Sequence, residues 1–398
     1  MNVTYSHRVT EILRSRLKEP RRTIQIVLGP RQVGKSTAVR GVLKQHVGPV
    51  VYALADQSMP LGSEWIARHW AEARLQVQKN ERVILALDEI QKVPGWTSDV
   101  KRLWDEDTYK ERDIHVVLTG SSALTLQKGL TESLLGRFEV IWMPHWSFVE
   151  CRDAFGWGLE DYFFFGGYPG AVAYCQDEDR WRNYMMTSMI EPVLTRDIAL
   201  LTTVHNPALL RRLLFLTCEY ASQELSYRKI QGIFQDVSNT VTISAYQRML
   251  EQSFLIAGLQ KWSGGALQKR NSSPKWLPLN TGLVTAIQNK NRAELKNDPV
   301  FFGRLVETSI GAHLFNQAML FNFEVYYWRD GNMEIDFIFR KGNKLVAIEV
   351  KSGLNSDTKA FTVFLKKYPE AKVMLVGGQG MPLEEFLTTP IKSFFESM

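Results

Sequence analysis

The sequence predicts an α/β protein of several modules. A parallel sheet is built around a phosphate-binding loop and followed by a helical lid; a small helical module with a two-stranded ribbon and a second α/β domain come after it. Three observations carry that prediction. The apolar run Ile24–Leu28 leads directly into Gly29-Pro30-Arg31-Gln32-Val33-Gly34-Lys35-Ser36. Further continuous apolar runs, residues 83–87 and 114–118, end in polar residues and alternate with helical stretches. Far downstream, alternating apolar and polar residues place Asp336, Glu349 and Lys351 on adjacent strands.

A chain of 398 residues is long enough for two to four domains. Its 45% apolar and 23% charged residues are those of an ordinary globular protein, which excludes a disordered or fibrous class. The first 22 residues read as a basic helix (Arg8, Arg14, Arg16, Lys18, Arg21, Arg22) without the apolar core of a secretion signal. No stretch approaches bilayer-spanning length, so a cytoplasmic protein without membrane contact is expected. Cys151, Cys175 and Cys218 are scattered and odd in number, as reduced thiols would be. The net charge of +6 does not by itself point to nucleic acid, since basic solvated surfaces are common.

The spacing Gly-x-x-x-x-Gly-Lys-Ser is a chemical device. Gly29 and Gly34 permit a tight loop whose N–H groups wrap a phosphate, with Pro30, Arg31, Gln32 and Val33 between them. Lys35 reaches the β- and γ-phosphates, and the Ser36 hydroxyl joins a Mg²⁺ shell. The helix expected from Lys35, with Thr37 in its first turn, points its positive end at the same oxygens. ATP and Mg²⁺ are the implied ligands.

After the strand expected at Val50–Leu54 and a helix over 63–79, residues 83–87 read as a strand buried on both faces. Asp88 at its tip would hold Mg²⁺, and Glu89 would orient and deprotonate the attacking water. A helix over Trp96–Tyr109 leads to the strand at 114–118. That strand ends in Thr119-Gly120-Ser121-Ser122, where Ser121 is chosen over Thr119 or Ser122 as the polar residue sensing the γ-phosphate. Arg137, before a strand over 138–143, is a candidate arginine finger acting on a neighbouring subunit's nucleotide; an intrasubunit salt bridge is the alternative. The core is expected over 23–147 and a helical lid over 148–204, where Arg196 reads as a second sensor or a lid salt bridge.

The strand order resembles AAA+ ATPases. The combination of the loop with Leu-Asp-Glu-Ile-Gln, Leu-Thr-Gly-Ser-Ser, Gly-Arg-Phe-Glu-Val and Phe-Gly-Gly-Tyr-Pro is similar to bacterial and archaeal AAA-type ATPases. Those carry a C-terminal domain of unknown function (the DUF4143 type). The resemblance implies an ATPase followed by a winged helix and a nuclease-like domain.

Residues 207–221, 226–235 and Thr240–Gln252 read as short amphipathic helices, followed by extended runs at 254–260 and 276–279. Three helices and a ribbon make a winged helix, expected over 205–282. Its last helix would present Ser244, Gln247 and Arg248 to a DNA groove. Lys261, Lys269, Arg270, Lys275, Lys290, Arg292 and Lys296 face only Glu294 and Asp298 locally; with Trp262 and Trp276 they suit phosphate contact and stacking. A purely structural or protein-binding winged helix is the alternative.

The last domain, 283–398, resembles the PD-(D/E)xK nucleases through Asp336, Glu349 and Lys351, with Glu307 adding a ligand from a preceding helix. Carboxylates there would bind a second Mg²⁺ or Mn²⁺, and Lys351 would position the nucleophile. The function expected is an oligomeric ATP-hydrolysing motor that binds and remodels DNA, of helicase or branch-migration type. A trans arginine favours a ring, most simply a hexamer. An ATP-gated metal-dependent endonuclease, with defence as its setting, and a nucleotide-switched protein-interaction ATPase with an inert nuclease fold are the alternatives.

Overall fold

The structure is a computed structural model and describes residues 7–55, 61–77, 82–120, 134–198, 204–234, 239–264, 273–353 and 358–396. The chain divides into two compact units, Met1–Pro144 and His145–Met398.

The first unit opens with helix α1 (Arg8–Arg16), whose N-terminus is capped by His7 accepting the Val9 N–H. Five parallel strands follow: β1 (Ile24–Leu28), β2 (Val50–Leu54), β3 (Val83–Asp88), β4 (Ile114–Gly120) and β5 (Phe138–Trp142). Their order is β2-β3-β4-β1-β5. Residues of β1, β3 and β4 are buried throughout, because helices cover both faces and leave no place for alternation. Helices α2 (Lys35–Lys44), α3 (Glu64–Gln76) and α4 (Trp96–Tyr109) are the crossovers. Trp65, Trp70, Trp96 and Trp104 pack with Ile66, Val100 and Leu103 on the apolar sheet residues and fill one side of the core. The five strands and three crossover helices read from the sequence here hold to within a few residues. β4 runs two residues further than the apolar run, because Thr119 and Gly120 still pair with β1.

In the second unit, helices Phe148–Phe155, Leu159–Phe165 and Glu178–Tyr184 precede helices Pro207–Glu219, Tyr227–Ile233 and Thr240–Gln252. A seven-stranded sheet has the order β12-β11-β10-β9-β7-β8-β6. Its strands are β6 (Gln223–Glu224), β7 (Ile256–Lys261), β8 (Lys275–Pro278), β9 (Glu324–Asp330), β10 (Met333–Lys341), β11 (Lys344–Lys351) and β12 (Lys372–Gly377). β7 and β8 form the expected antiparallel ribbon. β7 also pairs in parallel with β9 through Gln260↔Tyr326 and Lys261↔Tyr327, so one sheet runs across residue 282, where the sequence suggests a division.

The long helix Pro299–Phe321 starts with an Asp298 cap and Pro299 in its first turn, and buries Leu305, Val306, Ile310 and Leu314. It also buries His313, whose two ring nitrogens have no hydrogen-bond partner among the described residues. Burial pushes that imidazole down to about 4. A His with a depressed folded pKa stabilises above its unfolded value of about 6.5, and the contribution is lost as pH falls toward 4. His313→Leu is therefore expected to raise stability by about 1 kcal/mol at neutral pH. Its advantage over the parent should grow between pH 6.5 and 4 in urea titrations. A constant difference across that range would refute the buried neutral state. Among the described residues no helix is long and apolar enough to cross a membrane.

Candidate active site

The parallel sheet places the phosphate-binding loop and the tip of the acidic strand at its carboxyl end. β1 lies between β4 and β5, and β3 lies on the far side of β4. The registers Val27↔Thr119 and Leu87↔Leu118 bring Val27, Thr119 and Asp88 to nearly one level at the carboxyl ends of their strands, where ligands of open α/β sheets bind.

The loop after β1 is shaped by its glycines. A Cβ on Gly29 would meet the Met143 carbonyl oxygen at 1.9 Å, so only glycine lets the chain leave β1 beside the end of β5. Gly34 caps α2 with φ 96°, a left-handed conformation that glycine adopts without strain. Gln32 also has positive φ (56°), a local cost of the tight loop. Lys35 is buried, and its Nζ donates to the carbonyls of Gly29 (3.0 Å) and Pro30 (2.5 Å). The ammonium thus sits inside the curve of its own loop, held by bonds that a phosphate oxygen can replace.

Asp88 is 1% exposed, yet both its carboxylate oxygens accept hydroxyl bonds. Tyr52 Oη donates to Oδ2 at 2.6 Å, and Thr119 Oγ1 donates to Oδ1. Burial and the bond to Asp88 push the Tyr52 phenol up, so it stays a donor. Thr119 Oγ1 in turn accepts the Glu89 N–H at 3.2 Å. Glu89 takes a left-handed backbone (φ 57°), uncommon for a residue with a side chain and a recurrent mark of functional sites. Gln91 Nε2 holds its Oε2 at 2.8 Å.

Tyr52 is the residue that the sequence does not single out, and Thr119 is the alternative ranked below Ser121, which lies outside the described residues. The available signal was position: β4 neighbours the acidic strand, and the last side chain before its glycine reaches across. Tyr52 sits two residues before the end of β2, whose Leu54 pairs with Asp88. Tyr52→Phe is expected to lower kcat for ATP about tenfold, with KM for ATP nearly unchanged and the Mg²⁺ optimum shifted. Phosphate release measured across a Mg²⁺ series checks this; an unchanged profile would deny Tyr52 any part in positioning Asp88.

Arg137 is engaged within its own chain. Its Nε and Nη2 grip the Asp105 carboxylate at 2.6 and 3.0 Å, a bidentate fork from a half-exposed position. Arg196 lies exposed at the end of the Val193–Asp197 helical turns.

In the second unit, Glu307 (helix Pro299–Phe321), Asp336 (β10), Glu349 and Lys351 (β11) do come together. A bulge between Ile335 and Ile338 re-aims Asp336, whose Oδ2 accepts the Val350 N–H at 2.8 Å. Lys351 Nζ is 2.6 Å from Glu349 Oε1. A further residue lies among them. Lys275 Nζ is 2.5 Å from Glu307, 3.3 Å from Glu334 and 3.5 Å from Asp336, and its side chain is 1% exposed. Burial opposes the Lys275 charge, but the surrounding carboxylates outweigh it and hold the ammonium protonated. Burial, then the Asp336 charge, push Glu307 up to about 8 and Glu349 up to about 7. Among the described residues no three His, Cys, Asp or Glu side chains are arranged to hold a metal ion.

Residues 21–152 match a family model described as an AAA domain. Residues 156–294 match a domain of unknown function (DUF8612), and residues 302–394 another (DUF4143). An uncharacterised protein of Methanocaldococcus jannaschii is 23% identical over 295 residues; the match takes in 69% of this chain, which spans 62% of that relative's length. Among solved structures, the Walker-type ATPase of Pyrococcus abyssi has a TM-score of 0.47 at 14% identity, over 72% of this chain and 96% of that one. The Aeropyrum pernix ORC1 protein, solved in complex with DNA, has a TM-score of 0.30 at 13% identity, over 72% and 92% respectively.

Several side chains expected to meet DNA in the later part of the chain are spoken for. Lys275 is the buried partner of the carboxylates just described, which corrects its reading as a phosphate contact. Gln247 is 4% exposed and bonded to Tyr227 and Glu251. Trp262 and Trp276 are core residues, the latter donating its indole N–H to the Leu225 carbonyl, so neither offers a face for stacking. Lys290 pairs with Asp298, as its local sequence suggests. Arg292 and Lys296 find acids from far along the chain: Asp161 and Glu178 for the first, Glu160 for the second. Arg248 is exposed and Lys261 partly so; Lys269 and Arg270 lie outside the described residues.

Proposed function

We propose that the chain is a Mg²⁺-dependent ATPase that hydrolyses ATP at the loop Gly29–Ser36 and uses the nucleotide state to act on a partner. The observation that carries this is the buried Asp88 carboxylate, held by two hydroxyls level with the phosphate-binding loop. A dangling acid serving only as a helix cap would not be so fixed. Gly29 against the Met143 carbonyl and the left-handed Gly34 let the loop curl tightly, and Lys35 already lies inside the curve. Ser36 and Asp88 would hold Mg²⁺, which would neutralise charge on the phosphates of a bound nucleotide. Lys35 exchanges its loop carbonyls for phosphate oxygens. Glu89 orients the attacking water and accepts its proton, with Gln91 and the Thr119 hydroxyl fixing its direction. Phosphate release from ATP with and without Mg²⁺ tests the reading, and turnover equal to that of Lys35→Ala would end it.

DNA remodelling is the second reading. It is favoured by Arg248 exposed on the helix Thr240–Gln252, and by three helices and a ribbon in winged-helix order. The contact would rest on Arg248 and Lys261, together with Lys269 and Arg270, which lie outside the described residues. Because most other basic residues there are paired, binding to forked, junction and duplex DNA should show a shallow salt dependence, of about two to four phosphates. No stimulation of ATP turnover by any of these DNAs would leave a protein as the partner.

A ring with shared sites, most simply a hexamer, needs Arg137 to leave Asp105 and reach a neighbour's nucleotide. Turnover per subunit should then rise with protein concentration, and Arg137→Ala should abolish that rise. Concentration-independent turnover that survives Arg137→Ala would reduce the arginine to an internal ion pair.

A further inference from the structure

The resemblance to metal-dependent nucleases assigns a divalent cation to Glu307, Asp336 and Glu349. The side chains do not fit that assignment, and the reason is a positive charge already in place. The Lys275 ammonium stands where the carboxylates of Glu307, Glu334 and Asp336 converge, within 2.5–3.5 Å of all three. These acids come from two elements, the helix Pro299–Phe321 and β10. The lysine comes from a third, β8. We propose that Lys275 is the built-in cation of this carboxylate group: it takes the place of a divalent metal and keeps the site metal-free.

Several observations agree. Mg²⁺ requires oxygens at about 2.1 Å in an octahedron, so a metal and an ammonium cannot share one point among the same acids. Their mutual repulsion at a few ångströms would be severe in a buried setting. Lys275 is not a surface residue that swings aside freely. Its side chain is 1% exposed and its Nζ lies 5.2 Å from the centre of the Phe337 ring. Its backbone is held on both sides, by Leu259 of β7 and Glu224 of β6. The second lysine, Lys351, is paired to Glu349 at 2.6 Å, so the acid on β11 is also answered from within. The consequence is a domain that keeps the acids of a nuclease-like site as an internal ionic clasp, joining the ribbon to the long helix and β10.

The test is Mn²⁺ binding to the full, nucleotide-free chain, followed by electron paramagnetic resonance and compared with Asp336→Asn. The comparison cancels any Mn²⁺ taken up at Asp88, so the outcome does not depend on the ATPase reading. The parent chain and Asp336→Asn are expected to bind the same amount of Mn²⁺ up to millimolar concentration. Lys275→Met is expected to gain one equivalent, lost again in Lys275→Met with Asp336→Asn, and to be stabilised against heat by Mn²⁺ where the parent is not. One equivalent bound by the parent and lost in Asp336→Asn would overturn the proposal. So would a folded Lys275→Met that gains none. If Lys275→Met does not fold, the comparison of the parent with Asp336→Asn decides alone.

Discussion

Glu89→Gln is expected to slow ATP hydrolysis by about 10²- to 10⁴-fold, the range over which a positioned general base acts, while leaving ATP affinity within about threefold. The substitution keeps the size of the side chain and its acceptor oxygen for Gln91, and removes only the capacity to take a proton. The backbone should be indifferent to it, because the left-handed turn at Glu89 and the N–H bond to Thr119 do not involve the side chain. Single-turnover hydrolysis and fluorescent-nucleotide titration separate the two effects. Equal losses in affinity and rate would mean that Glu89 builds the loop instead of serving the reaction. Lys35→Ala differs in kind, since it should lose nucleotide binding together with turnover.

The largest effect on stability is expected at Asp107, which is wholly buried at the end of α4. Its carboxylate accepts the Trp70 indole N–H at 2.6 Å, Arg74 Nε at 2.8 Å and Arg112 Nη1 at 3.0 Å. Asp107→Leu removes the acceptor for three donors, two of them charged, and should cost about 3–5 kcal/mol. Urea unfolding followed by far-ultraviolet circular dichroism reads this directly. Asp107→Asn, which keeps one acceptor oxygen, should lose less. A loss below about 1 kcal/mol for Asp107→Leu would show that solvent reaches the two arginines and replaces the carboxylate.

The nucleotide site was legible because its chemistry is local. Eight consecutive residues make the loop, and Asp88-Glu89 follow an uninterrupted apolar run whose burial is visible in its composition. What escaped was set by strand order and register. Nothing in the sequence says that β3 lies beside both β2 and β4, which is what delivers the Tyr52 and Thr119 hydroxyls to Asp88. The basic residues of the middle segment were misjudged for a similar reason. Local charge counting around Arg292 and Lys296 sees Glu294 and Asp298, whereas their partners Asp161, Glu178 and Glu160 lie more than a hundred positions earlier. Lys275 is the sharpest case. It reads as one more cation of a ribbon until β8 is placed in the same sheet as β10 and beside the long helix.

The pairing of β7 with β9 has a bearing on how this chain can have been assembled by recombination. Two short backbone matches, reinforced by the Trp262 N–H bond to Tyr327 and the packing of Trp262 against Tyr326, splice the ribbon to the last domain. A gene fragment carrying residues up to 282 would deliver β7 with an uncovered edge, and one beginning later would leave β9 in the same condition. Either piece, moved to another gene, would invite pairing with whatever chain came near. Kept in one chain, the ribbon and the last domain each cover the edge that the other would leave open.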